Sequence, residues 1–231
     1  MPDATSCNEL TADEAQHAVR VLRLKPHDEI VLIDGHGSFF KAEITLAENH
    51  HCMYRITEEM PQSKLWNGHL HLAIAPTKMM DRMEWMAEKA TEIGIDELSF
   101  IGCKFSERNS IKTERIGKIV VAAVKQSRKA WMPIVNDMCS FRDFVAAHKS
   151  DRRFIAHCYE EINRTLLFDE IKHCSPDENI TVMIGPEGDF SIDEVRMAVK
   201  EGFVSVSLGS SRLRTETAGL TAVMMMHLGK K

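Results

Sequence analysis

The spacing of apolar and polar positions changes character once along the chain, near residue 68. Before that point the apolar residues come in short, partly alternating runs separated by turn formers. Glu29-Ile30-Val31-Leu32-Ile33, Phe39 to Ile44 and His51 to Ile56 read as strands. Asp34-Gly35-His36-Gly37, between the first two, reads as a turn with two glycines available for positive φ. A helical segment from Ala12 to Leu22 precedes them, with Thr11 and Glu14 spaced as a capping box. This composition suits a small β-barrel or sandwich.

From His69 onward strands alternate with helices. Leu70 to Ala75, Leu98 to Ile101, Phe154 to Ala156, Ile180 to Ile184 and Val204 to Leu208 are short apolar runs. Helical periodicity fills Lys78 to Ile93, Glu114 to Ala130, Ser191 to Glu201 and Thr215 to Leu228. Gly94 stands where a helix C-cap belongs, and Ser191 with Glu194 forms a second capping-box spacing. Met79, Met83, Met86, Ala90 and Ile93 share one helical stripe and read as core filler. The alternation predicts an α/β domain, a mainly parallel sheet with helices on both faces. The expected division is 1–68 for the β-rich part and 69–231 for the α/β part, joined through Pro61-Gln62-Ser63-Lys64.

Composition narrows the classes. A hydrophobic share of 44% over 231 residues supports a globular core. No stretch reaches the roughly 20 apolar residues of a membrane span, and Met1-Pro2-Asp3-Ala4 lacks signal-peptide character, so a cytoplasmic protein away from membranes is expected. The six cysteines form no C-x-x-C pair, and the adjacent His-Cys pairs at 51–52, 157–158 and 173–174 point their side chains apart on a strand. No metal is expected. A net charge of −5 argues against indiscriminate coating of nucleic acid. Against that background, Lys104 to Lys129 carries eight basic and two acidic residues, a local excess suited to RNA.

Two loops carry the candidate chemistry. Ile184-Gly185-Pro186-Glu187-Gly188-Asp189-Phe190 and Leu208-Gly209-Ser210-Ser211-Arg212-Leu213-Arg214-Thr215-Glu216-Thr217-Ala218 each lead from a strand into a helix. Such loops build ligand sites at the C-terminal ends of parallel strands. The first is a poor phosphate cradle: Pro186 lacks an N–H, and Glu187 and Asp189 are acidic. A neutral ring system with a cationic centre fits it better, and S-adenosylmethionine has both. The simpler alternative is that the two carboxylates only favour the start of the next helix. In the second loop, Arg212 and Arg214 suit phosphate or carbonyl oxygens. Their simpler alternatives are Thr215 or Thr217 as an N-cap and an Arg214–Glu216 surface pair.

These loops resemble the signature loops of the RsmE family, ribosomal RNA small subunit methyltransferases of the SPOUT class. Val19 to Lys25 and Asp28-Glu29-Ile30 are similar to the family's N-terminal PUA-like barrel. Arg82 to Met86, Glu88 to Gly94, Ser106-Glu107-Arg108, Lys125 to Arg128 and Met132-Pro133 resemble successive segments of its catalytic domain. Two departures stand out. Asp189 occupies a place where the family often has glycine, and Ser210-Ser211-Arg212 displaces an arginine by one position.

The resemblance implies a trefoil knot around the cofactor pocket, a homodimer, and S-adenosylmethionine-dependent methylation of N3 of a uridine in 16S ribosomal RNA. It implies a cofactor set of His157, Cys158, Tyr159, Ile184, Gly185, Pro186, Glu187, Gly188, Leu208, Gly209, Ser210, Leu213, Arg214 and Thr215. For catalysis it leaves Arg214 to stabilise negative charge on the uracil oxygens and Glu216 to take the N3 proton. RNA would lie on Arg20, Arg23 and Lys25, and on Arg108, Lys112, Lys125, Gln126 and Arg128. The alternatives are a SPOUT enzyme acting on a ribose hydroxyl and a non-catalytic RNA-binding protein.

Overall fold

In a computed structural model, which describes residues 5–230, the chain packs as two compact units. One comprises the chain through Lys64 together with Ser127–Met132; the other comprises Leu65–Gln126 and Pro133–Lys231.

The first unit is built on an antiparallel meander of β1 (Glu29–Ile33), β2 (Ser38–Ala47) and β3 (Cys52–Pro61). Leu32, Phe40, Ile44 and Tyr54 from the strands bury against Ala15 and Ala18. The turn after β1 holds Gly35 at φ +79 and Gly37 at φ +114. Asp34 Oδ1 closes it by accepting from the amides of His36 at 2.8 Å and Ser38 at 3.1 Å. Glycine is needed here for a second reason. A side chain on Gly37 would overlap the Trp131 ring, and one on Gly35 would meet Met132 Cβ at 2.9 Å. The turn receives Ser127–Met132 through Gly37 N–H to Ala130 O, 3.0 Å, and Met132 N–H to Gly35 O, 2.9 Å.

The expected helix from Ala12 to Leu22 is shorter than its periodicity suggested. α1 covers Ala12–Gln16 and then widens into a π-helical turn, His17–Val21. The Thr11 side chain makes no capping hydrogen bond. Apolar spacing does not distinguish a π turn from an α turn over so few residues.

The second unit runs β4 (Leu70–Ile74), α2 (Met80–Ile93), β5 (Glu97–Gly102), α3 (Thr113–Gln126), β6 (Ile134–Val135), β7 (Cys139–Ser140) and α4 (Phe141–Ala147). It continues with β8 (Arg152–Ala156), β9 (Thr165–Leu166), α5 (Leu167–Lys172), β10 (Ile180–Ile184), α6 (Ile192–Lys200), β11 (Val204–Ser207) and α7 (Thr215–Gly229). The sheet order is β6-β5-β4-β10-β8-β11-β9, with β7 also on β5, and every pairing is parallel.

Both faces of the sheet are covered, as alternation along β4 makes plain. Leu72 and Ile74 point to α7, where Gly219 lets the helix approach; a side chain there would meet Ile74 Cδ1 at 2.9 Å. Ala73 points the other way, into a core shared with Phe141, Phe144, Ile155, Met183 and Val195. α7 is apolar almost all round because it packs on β4, β10, α2 and α5.

The helices of this unit differ from expectation in several places. α2 starts at Met80, so Met79 is its exposed N-cap residue; of the expected stripe Met83, Met86 and Ala90 are buried, together with Ala87 and Thr91. α3 ends at Gln126, four residues before Ala130, because Arg128 turns to φ +51 and the chain leaves to join the first unit. α4 and α5, too short for a periodic signal, were not anticipated. Among the described residues no helix is long and apolar enough to cross a membrane, and no group of His, Cys, Asp or Glu side chains is placed to hold a metal ion.

Candidate functional site

Parallel strands leave their C-terminal ends free to carry loops, and ligands settle where the order of strand addition reverses. Here strands add on one side of β4 up to β6, whereas β8 lies on the other side with β10 between them. The loops after β8, β10 and β11, three adjacent strands, wall a cleft of about 1530 Å³. Every residue expected at the cofactor lines it: His157, Cys158, Tyr159, Ile184, Gly185, Pro186, Glu187, Gly188, Leu208, Gly209, Ser210, Leu213, Arg214 and Thr215, and with them Glu216. Arg82 from α2 and Asn163 and Arg164 from the β8–β9 loop also line it. Sequence reasoning did not assign these three to the site. Arg82 stands more than 70 residues before the nearest of the three loops, and its family-like segment, Arg82 to Met86, says nothing of where the side chain lies.

The first loop is held by its own carboxylates. Glu187 Oε1 accepts from the Lys78 amide at 2.9 Å, tying the loop to the chain after β4. Asp189 Oδ2 accepts from the Cys158 amide at 2.8 Å, and its Oδ1 from the Phe190 amide at 2.7 Å. Neither carboxylate caps α6, whose start is closed by Ser191 and Glu194 in a complete capping box. Asp189 has φ +65, in the left-handed region. That conformation explains why glycine suits this place, and aspartate is among the residues that tolerate it. Gly185 is also required as glycine, since a side chain there would lie 2.9 Å from the Phe190 amide nitrogen.

The second loop corrects two further alternatives. The N-cap residue of α7 is Arg214, without a side-chain cap bond, so neither Thr215 nor Thr217 fills that role. Glu216 does not pair with Arg214: its Oε1 lies 3.6 Å from Arg82 Nη1. Arg214 itself is exposed on the cleft wall.

Two buried polar atoms in the wall lack a protein partner, His157 Nε2 and Glu216 Oε2, although His157 is only 4% and Glu216 7% exposed. Unpaired buried polar groups are costly, and these two, lying on a cleft wall, are open to bonding by a ligand. His157 Nδ1 accepts from the Tyr159 amide at 3.2 Å, which places the ring proton on Nε2. Burial pushes the His157 pKa below its ordinary value, so the ring is a neutral donor. Burial, reinforced by the Asp189 carboxylate, pushes the Cys158 thiol up, so it is no thiolate near neutral pH. The wall thus offers a neutral N–H donor, an unpaired carboxylate oxygen, a guanidinium and glycine backbone. That donor set fits a nucleoside carrying a cationic centre.

The basic residues expected on RNA distribute between the units. Arg20, Arg23, Lys25 and Arg128 are exposed in the first; Lys112, Lys125 and Gln126 are exposed in the second. Arg108 is committed elsewhere: its Nε and Nη2 donate to Thr77 O at 3.2 Å and Lys78 O at 2.7 Å.

The model of an RNA methyltransferase domain matches residues 64–227, and that of an RNA methyltransferase PUA domain matches residues 10–52. The sheet and its cleft are those of an RNA methyltransferase. Ribosomal RNA small subunit methyltransferase E of Rickettsia conorii is 30% identical, covering 95% of this chain and 89% of its own. Its namesake in Bacillus subtilis is 28% identical over 93% of this chain and 87% of its own. A crystal structure of a probable rRNA-methyltransferase from Porphyromonas gingivalis aligns with a TM-score of 0.92 at 42% identity, covering 99% of this chain and 96% of that one. The small subunit methyltransferase E of Neisseria gonorrhoeae, solved bound to S-adenosyl methionine, aligns with a TM-score of 0.84 at 27% identity, covering 95% and 90%. The chain belongs to the ribosomal RNA small subunit methyltransferase E family.

Proposed function

We propose that the protein transfers a methyl group from S-adenosylmethionine to N3 of a uridine in 16S ribosomal RNA. The observation that carries this reading is the cleft itself: three loops bring Arg214, the unpaired Glu216 Oε2 and the unpaired His157 Nε2 to one wall, beside glycine turns. Gly185 to Gly188, Leu208 to Leu213 and His157 to Tyr159 hold the cofactor, and His157 Nε2 donates to it. When bound, S-adenosylmethionine supplies an electrophilic methyl group.

Uracil N3 is a weak nucleophile until its proton leaves. Glu216 Oε2 takes that proton. Arg214 stabilises the negative charge that spreads to O2 and O4. The N3 lone pair then forms the new N–C bond as the S–C bond breaks, its electron pair staying on sulfur. The uridine must be unpaired or swung out to reach the wall, and the exposed basic residues position the RNA by its phosphates.

The reading extends to a homodimer and to a trefoil knot around the cofactor. A second copy is supported by α2 and α7, which pack on each other and leave Trp85, Met224 and Leu228 exposed. On this reading residues 1–68 bind RNA, and residues 69–231 carry methyl transfer and the further RNA contacts at Lys112, Lys125 and Gln126.

Incubation with unmethylated small subunits and labelled S-adenosylmethionine, followed by mapping of the labelled nucleotide, tests the reading. Label on uridine N3 supports it; label on a ribose, or none, overturns it. Replacing Lys125 and Arg128 by Glu weakens RNA binding and leaves S-adenosylmethionine binding unchanged. Loss of both would show that these residues do not serve RNA.

A further inference from the structure

Among the described residues two aromatic side chains are exposed, Trp85 on α2 and Phe105 in the loop after β5. Phe105 is 46% exposed, and it is held there by a rigid turn. Ser106 N–H donates to Cys103 O at 3.0 Å, and Ser106 Oγ accepts from the Cys103 amide at 3.0 Å. The Lys104 amide donates to Glu194 Oε1 at 2.8 Å, which bolts the turn to α6. Three hydrogen bonds therefore preorganise a segment whose tip is an apolar ring in water.

The ring's position gives that arrangement a use. A methyl group added to Gly188 would lie 3.3 Å from Phe105 Cβ, so Phe105 abuts the cleft loop at its rim. Lys104 Nζ lies 5.7 Å from the ring centroid. Lys104 and Lys112 are exposed on the same unit, while Lys78 is paired with Glu107 at 2.9 Å. An exposed ring with a lysine beside it suits single-stranded nucleic acid: the cation holds a backbone phosphate, and the ring stacks a base whatever its identity. Support for Gly188 alone would need the Cβ contact, not a ring left nearly half in water.

We propose that Phe105 is a stacking platform for an unpaired RNA base at the rim of the cleft. The inference rests on RNA being the substrate. It adds that a base is gripped outside the methyl-transfer wall, so that the reacting uridine enters in a fixed register.

The test uses the full chain and a short single-stranded oligouridylate, with affinity read by anisotropy and S-adenosylmethionine affinity by calorimetry. Phe105→Leu lowers oligouridylate affinity about tenfold, leaves the slope of log affinity against log salt unchanged, and leaves S-adenosylmethionine affinity as in the parent. Phe105→Trp keeps the affinity and adds an emission that RNA quenches, beyond any change in the parent. Parent-like RNA affinity in Phe105→Leu, or unquenched emission from RNA-bound Phe105→Trp, overturns the stacking role alone. If the parent itself fails to bind oligouridylate while binding S-adenosylmethionine, the RNA reading falls and the platform with it.

Discussion

The two ends of the parallel sheet use the same residue types to opposite ends. At the N-terminal ends of β4, β5 and β10, most of the buried polar groups pair with one another, His71 Nδ1 being left without a hydrogen bond. His71 reaches Ser99 Oγ at 2.8 Å, Asn136 Nδ2 also donates to that hydroxyl at 2.8 Å, and His148 meets Thr181 Oγ1 at 2.6 Å. Glu97 is held by His69 at 2.8 Å and by Asn136 at 2.5 Å, and lies 3.8 Å from His71 Nδ1. At the C-terminal ends of β8, β10 and β11, His157 Nε2 and Glu216 Oε2 are left without protein partners on a cleft wall, beside the exposed Arg214. Histidine and glutamate by themselves say nothing about role. What separates a structural cluster from a site is whether the sheet closes over them.

The sharpest break of this comparison is Arg214→Ala. Losing a preorganised donor to developing negative charge lowers kcat of methyl transfer by about 10²–10³, with the melting temperature changed little because Arg214 is exposed. A loss below about tenfold in a labelled-methyl assay would return Arg214 to the surface.

The lower end answers to pH instead. Burial pushes His71 well below its ordinary 6.5 and lowers half-buried His148 too, while the hydrogen bond from His69 holds Glu97 below 4.5. The titratable and charged groups facing His71 and His148 are His69, Glu97 and Arg153. Above pH 6.5 neither folded nor unfolded chain protonates His71. Below it the unfolded chain takes a proton that the folded chain refuses, so stability falls as pH falls. Glu97 adds to the loss below 4.5, where the unfolded carboxylate protonates first. Melting temperature should drop by about 3–5 °C per pH unit below 6.5, and His71→Asn should flatten that slope. An equal slope in the variant would mean the acid sensitivity lies elsewhere.

The smallest effect contrasts two identical sequence signals. Ser191→Ala removes a formed capping box and lowers stability by about 1 kcal/mol. Thr11→Ala removes a hydroxyl that caps nothing and should shift stability by less than about 0.5 kcal/mol. Equal effects in thermal denaturation would contradict the cap geometry.

These cases show how far local pattern reaches. Ser191 with Glu194, Gly94 as a C-cap and Gly35 with Gly37 in a turn were legible because a cap or a positive φ is decided by a few neighbouring residues. The five longer strands of the sheet were legible because a strand covered on both faces reads as an apolar run; the two-residue strands β6, β7 and β9 were too short to show one. The end of α3 was not: helical periodicity continues past Gln126, yet residues 127–132 find better partners on the glycine turn of the first unit.

For the site, sequence alone picked out two of the loops that line the cleft, since glycine, proline and charged residues between a strand and a helix are a local property. Only the tertiary structure decided what each charge does. Glu187 and Asp189 became loop ties, Arg108 a backbone clamp, and Arg82 a cleft residue facing Glu216. The reason is geometric: a carboxylate or guanidinium reaches several ångströms, and the partner it meets there is set by strand order and crossover, which bring together residues more than a hundred positions apart.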